Sequence, residues 1–146
     1  NRGPYERIYG AGPFSAMHHY CRGLRAMIDL AEAEQAVIVR GKYRQAISDF
    51  DYLLDRVPRN YFLRPEILVT KASALLGLKE DFAAVECFQE AIQIQPDYVP
   101  AYIGLANYFE SVDDPESVRY VIEMGLRYAP DHPALLGRLD ALTPDG

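Results

Sequence analysis

The sequence predicts an all-α protein built as a stack of antiparallel helix hairpins, and three observations carry that reading. Pro96 and Pro130 each stand just after an apolar helical stretch, about 34 residues apart, the period of a helical-hairpin repeat. Laying one block over the other pairs Leu68, Ala72 and Leu75 with Tyr102, Ala106 and Phe109, and Ala84, Phe88 and Ala91 with Val118, Ile122 and Gly125. Each triplet recurs at three- or four-residue spacing, the period of one helix face, so each block holds two amphipathic helices separated by a solvated turn. A unit of this size cannot bury its apolar face alone, and neighbouring copies must supply the cover.

Size and composition agree with one domain. The chain has 146 residues, 49% apolar and 25% charged, enough for a continuous core and ordinary for a water-soluble globular protein. No apolar run approaches the roughly 20 residues that span a bilayer, so direct membrane insertion is not expected. The net charge of -6 has the wrong sign for a general nucleic-acid binder, which needs surplus Lys and Arg to neutralise phosphates. Residues 1–64 carry 10 Lys/Arg against 7 Asp/Glu, while residues 65–146 carry 5 against 14, so the halves stand at +3 and -9. Such a bipolar chain could steer a basic partner to its C-terminal half or align copies head to tail, although a solvated acidic surface is the simplest account. The chain opens Asn1-Arg2-Gly3-Pro4 with neither an initiator Met nor a basic-then-apolar leader. It therefore reads as a mature or trimmed segment.

Taken in order, residues 1–13, with Gly3, Pro4, Gly10, Gly12 and Pro13, are expected to be a loosely ordered leader. Residues 14–58 are expected to hold an N-terminal helix and a degenerate repeat. Met17, Tyr20, Cys21, Leu24 and Ile28 form a helical stripe expected to run on toward Val39. Gly41, Tyr43, Ala46, Phe50 and Leu53 read as an inter-helix turn and second helix ending at Pro58, and Glu34 falls where a small residue is wanted. Pro58 lies further ahead of Pro96 than Pro96 does of Pro130, so Arg59–Pro65 contains an insertion of about four beyond the repeat period. Residues 65–98 and 99–132 are the two clear repeats. Asp114-Pro115-Glu116 supplies an N-cap, a first-turn proline and an acid suited to the helix dipole. Asp81 or Glu80 can open the equivalent helix one block earlier, and Pro96-Asp97 and Pro130-Asp131 are expected to end one helix and cap the next. Residues 132–142, with Leu135, Leu136, Leu139 and Leu142, form a short amphipathic helix covering the last repeat.

Residues 65–98 resemble a tetratricopeptide repeat (TPR) through Leu68, Ala72, Leu75, Ala84, Phe88, Ala91 and Pro96, and residues 99–132 through Tyr102, Leu105, Ala106, Phe109, Gly125 and Pro130. Val118 departs from the small residue usual in the second helix. Small residues let the two helices of a hairpin approach, and aromatics fill the space beside them. The resemblance implies a right-handed superhelix of about three hairpins, the first degenerate, with an N-terminal helix and a C-terminal capping helix. The phrase Phe14-Ser15-Ala16-Met17-His18-His19-Tyr20-Cys21 is similar to the N-terminal helix of uncharacterised proteobacterial TPR proteins, some of them exported, which makes the chain bacterial in type and leaves the compartment open between cytoplasm and periplasm.

Residues able to carry chemistry are few and poorly arranged for it. His18, His19 and Cys21 are the one cluster that invites a metal, but adjacent histidines point about 100° apart on a helix and zinc wants three or four ligands. A Cys21–His nucleophilic pair lacks an orienting third group. Asp49, Asp51, Asp55, Asp113, Asp114 and Glu116 sit where helix faces or caps would use them. Gly10-Ala11-Gly12 precedes proline and is no phosphate loop. Cys21 and Cys87 read as buried free thiols, with a 21–87 bridge the alternative in an exported chain. No cofactor and no catalytic residue is expected. Of the 11 tyrosines, Tyr43 and Tyr102 belong to the core, whereas Tyr98, Tyr108 and Tyr120 divide between packing and recognition.

In TPR arrays the first helices of successive hairpins line a concave groove. By that resemblance the candidate contacts are Glu66, Val69, Thr70 and Ser73 in one repeat and Ile103, Asn107, Glu110 and Ser111 in the next, with Gln35 from the earlier hairpin. Asn107 stands where peptide-binding relatives carry an Asn that holds a ligand backbone. The Lys and Arg with which chaperone-binding relatives clamp a C-terminal carboxylate would stand at Val69, Ser73 and Ile103, and are missing. The expected function is a non-enzymatic scaffold that binds a peptide or helix of a partner protein, with apolar anchors and basic flanks. The alternative is a self-assembling element that forms homo-oligomers through the ends of the stack.

Overall fold

The computed structural model describes residues 11–32 and 35–142. Among them are seven helices: α1 (Ala11–Ile28), α2 (Ala36–Leu54), α3 (Arg64–Gly77), α4 (Asp81–Ile94), α5 (Val99–Ser111), α6 (Pro115–Tyr128) and α7 (Pro133–Leu142), with a 3₁₀ turn at Asp29–Glu32 between the first two. They pack as the consecutive hairpins α1–α2, α3–α4 and α5–α6, and α7 lies against α6. The all-α hairpin stack expected from the repeat is the fold observed.

The repeat is visible in the backbone as well as in the side chains. Lys79 and Asp113, one repeat period apart, both adopt left-handed conformations, with φ of 64° and 57°. Each closes the first helix of its hairpin in the same way. The Lys79 amide reaches the Leu76 carbonyl and the Glu80 amide the Leu75 carbonyl, both at 3.0 Å; Asp113 and Asp114 repeat the pair on Glu110 and Phe109 at 3.1 and 3.0 Å. This is the Schellman closure, which satisfies the last carbonyls of a helix and turns the chain back. Asp114 then caps α6 by accepting the Ser117 amide at 3.1 Å, with Pro115 in the first turn. Asp97 does not cap α5, whose N-cap is Tyr98 with no side-chain bond.

The first hairpin differs from the sequence reading. Gly41 is no turn but an interior residue of α2, open to solvent and with nothing within 4 Å of where a side chain would start. The chain reverses instead around the 3₁₀ turn, where Asp29 holds Arg25 at 2.7 Å and Lys42 at 2.9 Å. The N-terminal helix is thus the first arm of this hairpin rather than an addition to it. Its helix begins at Ala11, so 11–13, expected in the leader, belong to the first turn, where Pro13 forfeits no intrahelical bond. Residues 1–10 and Glu34 lie outside the described residues.

One polar network locks α1 to α2. Asp49, 1% exposed, accepts from Arg22 Nε at 3.0 and 2.8 Å on its two oxygens, from Arg22 Nη2, and from Gln45 Nε2 at 2.9 Å. His19 Nδ1 lies 2.7 Å from Oδ1. His19 also stacks on Tyr52, 3.8 Å between centroids, and the Arg56 guanidinium covers that ring from 3.4 Å. Burial pushes the Asp49 carboxyl up, but the hydrogen bonds from Arg22, His19 and Gln45 and the Arg22 charge outweigh it and hold it at about 2. Asp49 therefore serves neither as a cap nor on a solvated face.

Two core clusters share α3. Ile67 and Ala74 join Tyr20, Phe50, Leu53 and Tyr61, whereas Leu68, Ala72 and Leu75 join Phe88, Tyr102, Leu105, Ile122 and Leu135. The longer connection after α2 is tied down by Arg64, whose Nη1 donates to the Leu54 carbonyl at 3.0 Å while its Nε and Nη2 meet Glu90 at 3.2 and 3.1 Å. Neighbouring hairpins approach where a glycine faces a ring. A Cβ at Gly104 would overlap Phe88, and one at Gly77 would overlap Tyr43.

Two sets of substitutions check this account. Gly104→Ala is expected to destabilise by about 1–2 kcal/mol in chemical denaturation despite the better helix propensity of Ala, because the buried Phe88 ring cannot yield; Gly41→Ala, with open space around it, should stabilise by about 0.5–1 kcal/mol. Asp49→Asn is expected to cost about 2 kcal/mol at neutral pH. Because the native carboxyl is depressed below its unfolded value of about 3.9, that difference should be full above about pH 4 and fade as pH falls toward 2, as read from denaturation of both proteins across this range.

Candidate functional site

The first helices of the three hairpins lie side by side, α1 against α3 and α3 against α5. Glu66, Val69, Thr70 and Ser73 stand on α3, and Ile103, Asn107, Glu110 and Ser111 on α5. Gln35 is not among them, because it is the N-cap of α2, a second helix.

Several of these side chains are already engaged. Glu66, in the first turn of α3, accepts the Tyr20 hydroxyl from α1. Burial, then the Glu66 hydrogen bond and charge, push the Tyr20 hydroxyl well above the usual phenol range, so Tyr20 remains a donor. Tyr98, half-buried, is pushed up by burial and by the same carboxylate. Tyr20, Glu66 and Tyr98 thus form one cluster over α1, α3 and the start of α5. Thr70 donates to the Glu66 carbonyl at 2.9 Å, Ser73 to the Val69 carbonyl at 3.2 Å and Ser111 to the Tyr108 carbonyl at 2.6 Å. Val69 and Ile103 are half-buried against the core. Turned onto their own helices, the hydroxyls offer mainly acceptor lone pairs to a visitor.

Asn107 and Glu110 are exposed, and both are met by Arg138 of α7. Its Nη1 donates to Glu110 Oε1 at 3.1 Å and its Nη2 donates to Asn107 Oδ1. An arginine can only donate, so the carboxamide oxygen must face Arg138 and the NH₂ is directed elsewhere. The hollow beside Asn107, about 410 Å³, is bounded by Gly77, Lys79, Asp81, Tyr108, Ser111 and Val112. Arg138 was not among the residues expected here. Its signal was present, for Thr70, Gly104 and Arg138 recur at the repeat period and α7 occupies the place of a fourth first helix.

The cluster that invited a metal or nucleophile is committed otherwise. His19 is turned onto Asp49 and Tyr52, and the ring of His18 is 4.1 Å from that of His19. Among the described residues no three His, Cys, Asp or Glu side chains gather as a metal site. Cys87 is buried, and burial raises its thiol. Cys21, expected to be buried, is exposed because it falls on the outer side of α1, and both thiols are free, so the 21–87 bridge does not form. Of the tyrosines left open, Tyr98 and Tyr108 are half-buried and Tyr120 is exposed. No helix among the described residues is long and apolar enough to cross a membrane.

No protein-family model matches the sequence, and no curated protein matches it. Solved structures do. The first TPR domain of human RPAP3 superposes with a TM-score of 0.66 at 21% identity, covering 90% of this chain and 91% of that one. The first TPR of Spaghetti (RPAP3) bound to the HSP90 peptide SRMEEVD gives 0.55 at 21% identity, covering 83% and 92%. Neither likeness supports the bacterial character read from Phe14–Cys21. At this identity they concern the fold, and the fold of this chain is TPR-like.

Proposed function

We propose that the chain is a protein-interaction scaffold that holds a peptide or helical segment of a partner along α1, α3 and α5, with Asn107 as its central contact. The observation that carries this reading is the state of Asn107, which is exposed, pinned through its oxygen by Arg138 and left with its NH₂ as the group to offer. Such a donor suits a backbone carbonyl of a bound segment. The half-buried Val69 and Ile103 supply apolar surface to the groove, and Glu66, which has no cation against it among the described residues, favours a basic flank.

A peptide is bound by the structurally similar Spaghetti domain, but an acidic C-terminal peptide does not suit this groove. Val69, Ser73 and Ile103 provide no cation, and the charge of Arg138 is shared with Glu110. A second reading, self-association through the ends of the stack, is favoured by the exposure of Val37 at one end and Leu136 at the other.

Partners captured by crosslinking from the native source, then titrated as purified proteins, test the groove. Asn107→Ala combined with Glu110→Arg is expected to weaken the cognate partner at least about tenfold, or 1.4 kcal/mol; unchanged affinity removes the groove assignment. Titration with SRMEEVD should give a Kd weaker than about 100 μM, and tighter binding would refute the missing clamp. Light scattering showing only monomer across micromolar concentrations would dispose of self-association.

A further inference from the structure

Successive hairpins also leave furrows between their second helices, and the two furrows of this chain differ in chemistry. Between α2 and α4 the floor is charged. Lys71 Nζ lies 2.6 Å from Asp51 Oδ1, and the hollow beside them is lined by Arg44, Ser48 and Glu80 with Ile47 and Leu78. Its charges answer one another.

One repeat period after Lys71 stands Leu105, and the furrow between α4 and α6 is accordingly apolar. Val85 and Ile92 of α4, Leu105 and Phe109 of α5, and Val121 and Met124 of α6 line a hollow of about 600 Å³. Gln89 and Gln93 edge it on one side and Tyr120, 63% exposed, on the other. An open apolar furrow of this kind, left unfilled where its sister is occupied by an ion pair, has the character of a contact surface.

Its charge identifies the occupant. Helix α4 contains no Lys or Arg, and exposed Glu86 stands one turn before Gln89 on its outer face. On α6, Glu116 and Glu123 flank Tyr120 in an adjoining shallower hollow. Arg119 lines that hollow too and donates to the Leu142 carbonyl at 2.8 Å. Arg127 lies beyond Glu123 in the last turn, so the two helices together carry five acidic side chains, Asp81, Glu86, Glu90, Glu116 and Glu123, against two basic ones. Every backbone group of the walls belongs to a helix, and an extended visitor would find no sheet edge to pair with. A third helix, by contrast, can lay its ridge between two others, and a 14-residue wall is about 21 Å long, room for nearly four turns.

We infer that the α4–α6 furrow is a second docking site, separate from the groove around Asn107, and that it takes an amphipathic helix of a partner protein with an apolar stripe flanked by Lys and Arg. The apolar side chains sit over Leu105 and Met124, and the basic ones face Glu86, Glu116 and Glu123.

Selection of a phage-displayed library of helical peptides on the immobilised chain tests this. Recovered sequences should carry Leu, Ile, Phe or Met at helical spacing with Lys or Arg beside them. As synthetic peptides they should lose at least tenfold in affinity to Glu86→Arg/Glu123→Arg and to Met124→Glu, and keep it with Asn107→Ala. Circular dichroism and melting of each variant verify folding, and the exposed Glu86→Arg/Glu123→Arg pair serves if Met124→Glu does not fold. Recovery of no peptide, recovery of acidic or uncharged ones, or binding lost with Asn107→Ala but kept with Glu86→Arg/Glu123→Arg overturns the inference. So does a dimer of the chain alone, seen by sedimentation and dissociated by the same pair, which would make the occupant a second copy.

Discussion

The stack depends on the close approach of helices at points where one of them has no side chain. Gly23 faces Phe50, Gly77 faces Tyr43, Gly104 faces Phe88, and Gly125 faces Tyr102 and Leu135. At each point a ring fills the space that a Cβ would need, so helix separation is set by an aromatic against a backbone. Everything functional inherits this spacing. The first helices can share one surface, and the second helices stand far enough apart to leave furrows, because the rings and glycines decide the distance from one hairpin to the next.

The first hairpin achieves the same end by different chemistry. Its helices carry Phe50 against Gly23, but they are also joined through the buried Asp49 and its partners Arg22, His19 and Gln45. A buried carboxylate with this many donors contributes orientation as much as energy, since losing Arg22 leaves its charge uncompensated and losing another donor leaves a lone pair unsatisfied. The later hairpins have no counterpart to it among the described residues. They rely on apolar contact and on paired Schellman closures, which hold Lys79 and Asp113 in a left-handed backbone state that Asp tolerates better than Lys.

The readability of the sequence follows the same division. Residues 65–132 were legible because local signals agreed: Pro96 and Pro130, the Asp114 cap and the apolar spacing all mark the same boundaries. The first hairpin was less so. Gly41 looks like punctuation but lies mid-helix, where its cost in propensity is covered by the packing of Ala46, Phe50 and Leu53 on the other side of α2. The partnership of Asp49 with His19 spans 30 residues, and pattern along the chain carries no trace of it. The repeat was enough to put Asn107 on a first helix, but not to show its oxygen partner. Arg138 sits on a helix read only as a cover, and its reach across to α5 is a matter of side-chain geometry.

The Asp49 network sits at one end of a linear array. In a stack where each unit touches only its neighbours, cooperativity decays along the chain and the ends can open alone. The buried carboxylate with the most donors belongs to the N-terminal hairpin, whereas Asn107, Arg138 and the α4–α6 furrow belong to the other end, where Asp114, lowered by its hydrogen bonds from Ser117, caps α6. Loss of the Asp49 network therefore frays the array from one side, as a zipper opens from its pull. The helices that carry Asn107, Arg138 and the α4–α6 furrow outlast the hairpin that covers α3.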